Sequence, residues 1–197
     1  MAKTETLRSL LALGNRLSVG RAREVAMLVR NRPRKTAQLI ECLWDEDAGI
    51  ANRASDALEK ATYTHPEILQ PWKEALLGLM AEATENKLRW NLALIAPRLE
   101  LTIPETERAA AYLRAWLDDR SSIVKTCSMQ GLAGLTQHNA ALLPEVLDLL
   151  RILTRSGTPA MRARGRILLR DLEPAASRQP RIRKWPVAGR DKFALRP

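Results

Sequence analysis

The chain has 197 residues, 27% of them charged and 4% aromatic, with a net charge of +10. Leu (32) and Ala (28) dominate, while Val and Ile together number 15, a balance that favours helices and excludes a sheet-rich fold. No apolar run approaches the ~18 residues of a membrane span, and Cys42, Cys127, His65 and His138 supply neither a disulfide framework nor a zinc site.

Residues 1–31 place Arg8, Arg16, Arg21 and Arg23 among Leu and Ser, as an organellar presequence would. Glu5 and Glu24 count against a presequence, and Val25, Met27, Leu28 and Val29 continue a helical pattern. The stretch Leu10-Leu11-Ala12-Leu13 is too short for a secretory signal. The segment therefore predicts a first, irregular helical pair over residues 1–32, in a cytoplasmic protein with reduced thiols.

An internal period organises residues 33–173. Leu39, Leu76, Leu113 and Leu150 are spaced 37 residues apart. The same register gives Cys42, Leu79, Trp116 and Leu153, then Leu43, Met80, Leu117 and Thr154 one position later. Such spacing forms one helix face, so each unit opens with an amphipathic helix, A. A second register comes after it in Ile50, Leu88, Val124 and Met161, four residues on in Ala54, Leu92, Ser128 and Gly165, and further on in Leu58, Ala96, Leu132 and Leu169. This predicts a helix B with small residues where a neighbour lies close. Acidic turns at Asp45-Glu46-Asp47, Glu82 to Glu85 and Asp118-Asp119 suit the N-terminus of B, where free N–H groups and the helix dipole favour negative charge. Pro66, Pro104 and Pro144 sit where the next A helix opens.

Asp119, Val124-Lys125, Ser128, Gly131 and Leu132 resemble the HEAT-repeat pattern, with an acid in the turn, a Val-basic pair opening helix B, then small and Leu positions. Leu88-Arg89 with Leu92, and Met161-Arg162 with Gly165, match it more loosely, while Ile50 departs from it because Ala51 comes next and the arginine is at Arg53. The resemblance implies an all-α, right-handed α-solenoid of about five helix pairs, with A helices on the convex face and B helices on the concave face. Units are expected over residues 1–32, 33–66, 67–103, 104–142 and 143–173. Family members mostly bind proteins, and a minority bind nucleic acids.

Periodicity stops near Pro174, and the segment 174–197 carries Pro174, Pro180, Pro186 and Pro197. It reads as a basic tail whose Arg181, Arg183, Lys184 and Trp185 form a short candidate binding peptide. Charge is uneven along the chain, with net +7 over residues 1–35, −7 over 36–150, +4 over 151–173 and +6 over 174–197.

Neither histidine has a nucleophile or orienting carboxylate nearby in sequence, no glycine-rich phosphate loop is present, and no catalytic, cofactor or metal residue is assigned. His65 and His138 are expected to cap helix ends, Cys42 and Cys127 to pack, and Trp116 to lie in the core. The expected binding residues are those at offsets 2, 6 and 10 of the B register, which should face the concave groove. They are Asn52, Asp56 and Lys60, then Trp90, Leu94 and Arg98, then Gln130 beside Thr126 and Gly134. Trp90 beside polar groups has the composition of an interface anchor. The leading reading is a non-enzymatic scaffold that holds a partner protein segment. The alternative is nucleic-acid binding through the basic stretches 21–35, 162–170 and the tail, related to alkylated-DNA glycosylases through Trp90, Asp56, Arg53 and Arg98.

Overall fold

The computed structural model describes residues 6–13 and 20–178, with side chains described through residue 174. Among these residues all regular structure is helical. The elements are α1 (Leu7–Ala12), α2 (Ala22–Asn31), α3 (Thr36–Glu41), α4 (Ala48–Ala61), α5 (Lys73–Glu82), α6 (Asn86–Ile95), α7 (Ile103–Ala115), α8 (Ser122–Leu135), α9 (Leu143–Ser156) and α10 (Pro159–Arg178). Short 3-10 turns lengthen several of them, at Pro33–Lys35, Cys42–Trp44, Pro66–Trp72, Ala96–Arg98, Trp116–Asp118 and Ala140–Leu142.

The local chemistry explains the boundaries. Thr6 caps α1 by accepting from the Ser9 N–H, Asp47 caps α4 through Gly49, and Ser121 caps α8 through Val124. Thr102 and Glu105 form a reciprocal capping box at α7. The acidic turns therefore act partly as expected: Asp47 is itself a cap, and Asp119 holds the Ser121 N–H at 2.7 Å. Pro104 and Pro144 lie in the first turns of α7 and α9, where a missing N–H costs nothing. Pro66 instead opens a 3-10 segment, and α5 starts only at Lys73. Pro174 does not end α10, which continues to Arg178. Regular structure thus extends past the expected end of periodicity, with Pro174 inside the helix.

Packing obeys the two registers. Helix α2 lies on α4, α4 on α6, α6 on α8, and α8 on α10, while α1, α5, α7 and α9 pack on α2, α6, α8 and α10 respectively. Helix α3 and the turn after it cover α4. Leu39, Leu76, Leu113 and Leu150 are all buried, as are Ile50, Leu88, Val124 and Met161. A Cβ on Gly131 would come within 2.5 Å of the Ala93 carbonyl and 2.8 Å of Leu113. The glycine is what lets α8 approach α6 this closely. No described helix is long and apolar enough to cross a membrane.

Polar bonds between neighbouring units recur near the same sequence distance. Arg8 pairs with Asp45, Asn91 donates to Ser55, Arg89 pairs with Asp119, and Arg114 pairs with Glu145. Lys73 joins Glu105, whose carboxyl is held down at about 2 by that ammonium and by Thr102.

Candidate functional site

The stripe singled out in the sequence runs across α4, α6 and α8, and its residues take different environments. Asn52 is 5% exposed, so the expectation that it faces outward does not hold. Its Oδ1 is buried with no hydrogen-bond partner among the described residues. One turn on, Asp56 is half-buried, with Oδ1 paired to Lys60 and Oδ2 buried and unpartnered. Two acceptor oxygens four residues apart on one helix face thus lack donors, an arrangement that costs free energy while it lasts.

On α6, Trp90 and Leu94 are both half-buried, and Trp90 packs in part against the core. Gln130 on α8 is half-buried as well. Thr126 turns back to the Ser122 carbonyl at 2.7 Å, and a Cβ on Gly134 would meet Pro97 at 2.7 Å.

Arg98 is engaged within the fold. Its guanidinium pairs with the Glu59 carboxylate, donates to the Glu59 carbonyl at 2.7 Å and to Thr62 Oγ1 at 3.2 Å, and stacks 5.3 Å from the Tyr63 ring. It straps the end of α6 to the end of α4. Arg53 is 3% exposed and donates through Nε to the Leu11 carbonyl. Of the four residues that suggested an alkylated-base site, the two arginines are therefore committed to internal bonds.

The remaining candidates are structural in their contacts. Trp116 is buried in the core, Trp72 packs against it, and Trp44 is 45% exposed. His138 Nε2 lies 2.9 Å from the Pro97 carbonyl and caps the preceding unit, whereas His65 is exposed beside Glu67 at 3.1 Å. Burial pushes the Cys127 thiol up to about 11 and raises the Cys42 thiol too, so neither is a thiolate at neutral pH. Arg181, Arg183, Lys184 and Trp185 lie outside the described residues.

Sequence reasoning missed the Glu59–Arg98 strap and the Asn91–Ser55 bond. Their separations of 39 and 36 residues were the available signal, because groups about one period apart meet on adjacent units. The unpartnered Asn52 and Asp56 oxygens had no sequence signal.

Neither the curated proteins nor the solved structures contain a match to the chain. The family model for the HEAT repeat domain matches residues 11–171. HEAT repeats commonly mediate protein interaction. With a match over most of its length and helices paired in register, the chain belongs to the HEAT-repeat family.

Proposed function

We propose that the chain is a right-handed α-solenoid of about five HEAT-like pairs, with a period near 37 residues, and that it is a non-catalytic adaptor. Its concave groove, lined by α4, α6 and α8, holds a segment of a partner protein. The observation that carries this reading is the pair Trp90 and Leu94. They are half-buried apolar side chains four residues apart on α6, and Asp56 and Gln130 hold the register position of Leu94 on the adjacent helices. An aromatic beside an aliphatic group, set among polar neighbours, supplies the anchor from which interfaces draw most of their energy. Buried acceptors at Asn52 and Asp56 add donor specificity beside it.

Photo-crosslinking tests the assignment. A photoreactive residue at Gln130 reports the groove, and one at Gly78 reports an exposed position with open space around its Cβ. The reading requires a defined protein adduct from position 130, lost when Trp90→Ala is added, and no such adduct from position 78. Equal capture from both positions would refute the groove.

A further inference from the structure

We propose that the end face formed by α9 and α10 docks the phosphodiester backbone of a double-stranded nucleic acid. The surface is separate from the groove assigned above, so either can fail without the other.

The starting point is an internal comparison of equivalent arginines. Arg89 comes directly after Leu88 at the start of α6, and Arg162 directly after Met161 at the start of α10, in the same register. Arg89 donates to the Ala83 carbonyl behind it and pairs at 2.7 Å with Asp119, an acid of the next unit's turn. Arg162 also donates to a carbonyl behind it, that of Gly157, but through an Nη at 3.3 Å rather than through Nε. No carboxylate pairs with its guanidinium among the described residues, and no described helix comes after α10. Arg162 is exposed, and its Nε and second Nη carry no bond to a carboxylate of the described residues such as Asp119 makes with Arg89.

The rest of the face agrees. Ser55, Ala93 and Met129 stand at one position of the B register and are 0% exposed. The equivalent position on α10 is Arg166, which is exposed and has no ion pair among the described residues. A position that receives a neighbouring helix in the inner units carries a cation at the end. Arg155, in the last turn of α9, is likewise exposed and without an ion pair among the described residues. The local acids are already engaged: Asp148 and Glu173 pair with Arg151, and Asp171 pairs with Arg170. Arg155, Arg162 and Arg166 remain uncompensated. In other units Arg8, Arg98, Arg108 and Arg114 each meet a carboxylate of another unit, while Arg23, Arg30, Arg32, Arg34 and Arg120 are exposed as those of the end face are.

The chemistry of the patch selects its occupant. Planar guanidinium forks match phosphate oxygens two at a time. Residues 151–174 contain no aromatic side chain. The exposed apolar groups of the face are the aliphatic Ile152 and Ile167, without the aromatic anchors in which protein interfaces are enriched, and a single strand needs stacking platforms for its bases. A duplex needs neither, since its backbone affinity comes from positive charge and counterion release. Binding should accordingly be indifferent to base sequence.

The test is fluorescence anisotropy of the full chain with a labelled duplex of about 20 base pairs, titrated over a salt series. An unlabelled single strand and a polyglutamate peptide of matched charge serve as competitors. The variant is Arg162→Glu with Arg166→Glu, checked for an unchanged urea midpoint. Arg108→Glu is the control, an exposed arginine of the central units. The expected result is salt-sensitive duplex binding that weakens at least about tenfold in the double variant, with the slope of log K against log salt falling in magnitude by about two. Arg108→Glu should leave both nearly unchanged. No duplex binding, or binding that the double variant leaves intact, would overturn the proposal. So would stronger competition by polyglutamate or by the single strand, which would assign the face to an acidic protein or to unpaired nucleic acid.

Discussion

The Arg89 guanidinium lies 2.7 Å from the carboxylate of Asp119, thirty residues away, and joins α6 to the turn that opens α8. Asp119 is 4% exposed at its side chain and also accepts the Ser121 N–H, so one carboxylate fixes both a neighbouring unit and the start of a helix. Arg89→Ala leaves that carboxylate with a single donor in a mostly dry site. It should lower stability by about 1–3 kcal/mol, the range for a lost hydrogen bond to a charged group. A urea midpoint equal to that of the parent would show that the bridge is incidental.

The core predicts a larger effect. Leu113 is 0% exposed and faces the close approach of Gly131. Leu113→Ala should cost about 2–5 kcal/mol, as core leucine truncations do. Gly131→Ala should also destabilise, because its methyl group meets the backbone carbonyl of Ala93, which cannot swing away. Thermal melts of the two variants check both claims, and an unchanged melting temperature for Gly131→Ala would mean that the α6–α8 spacing is looser than the structure gives.

Arg98 separates strap from binding residue. Its side chain is 16% exposed and its bonds all run to Glu59, Thr62 and Tyr63. Arg98→Ala should lower stability by about 1–3 kcal/mol through the carbonyl and carboxylate left behind. Partner affinity should change little once the variant is folded. A stable variant with weakened partner binding would return Arg98 to the groove.

Acid tests the Lys73–Glu105 link. The Glu105 carboxyl is lowered from about 4.5 to about 2, first by Lys73 and then by Thr102. A carboxyl depressed on folding stabilises the native state above its unfolded pKa, and that stabilisation is lost as pH falls through the folded value. The stability advantage of the parent over Glu105→Gln should be constant near neutrality and shrink between about pH 4.5 and 2. Urea midpoints at several pH values measure it, and an advantage that grows on acidification would contradict the assigned sign.

Much of the fold was legible because the repeat writes it several times over. The four leucines at a 37-residue spacing are buried at equivalent places, and the small residues Ala54, Ser128 and Gly165 lie where helices meet. The site was less legible. A register offset fixes the direction of a side chain only within a helix, and what covers it depends on its neighbours. Asn52 occupies the same offset as Trp90, yet it is buried while Trp90 is half-buried. Arg98 reads as a groove cation by offset, but a 3-10 turn at Ala96–Arg98 takes over from α6 there and the side chain reaches back to α4. By sequence Pro174 reads as the start of the tail, yet it lies inside α10, which runs to Arg178.

The groove is tested most directly by one affinity comparison. The partner segment captured from position 130 is titrated against the parent and against Trp90→Ala, with urea unfolding of both proteins alongside. A Trp90 anchor predicts a loss of at least about 2 kcal/mol in binding, roughly thirtyfold in Kd, from a variant that still unfolds cooperatively. Equal affinities, or a Trp90→Ala protein that no longer folds, would contradict it and place Trp90 in the packing of the helices instead.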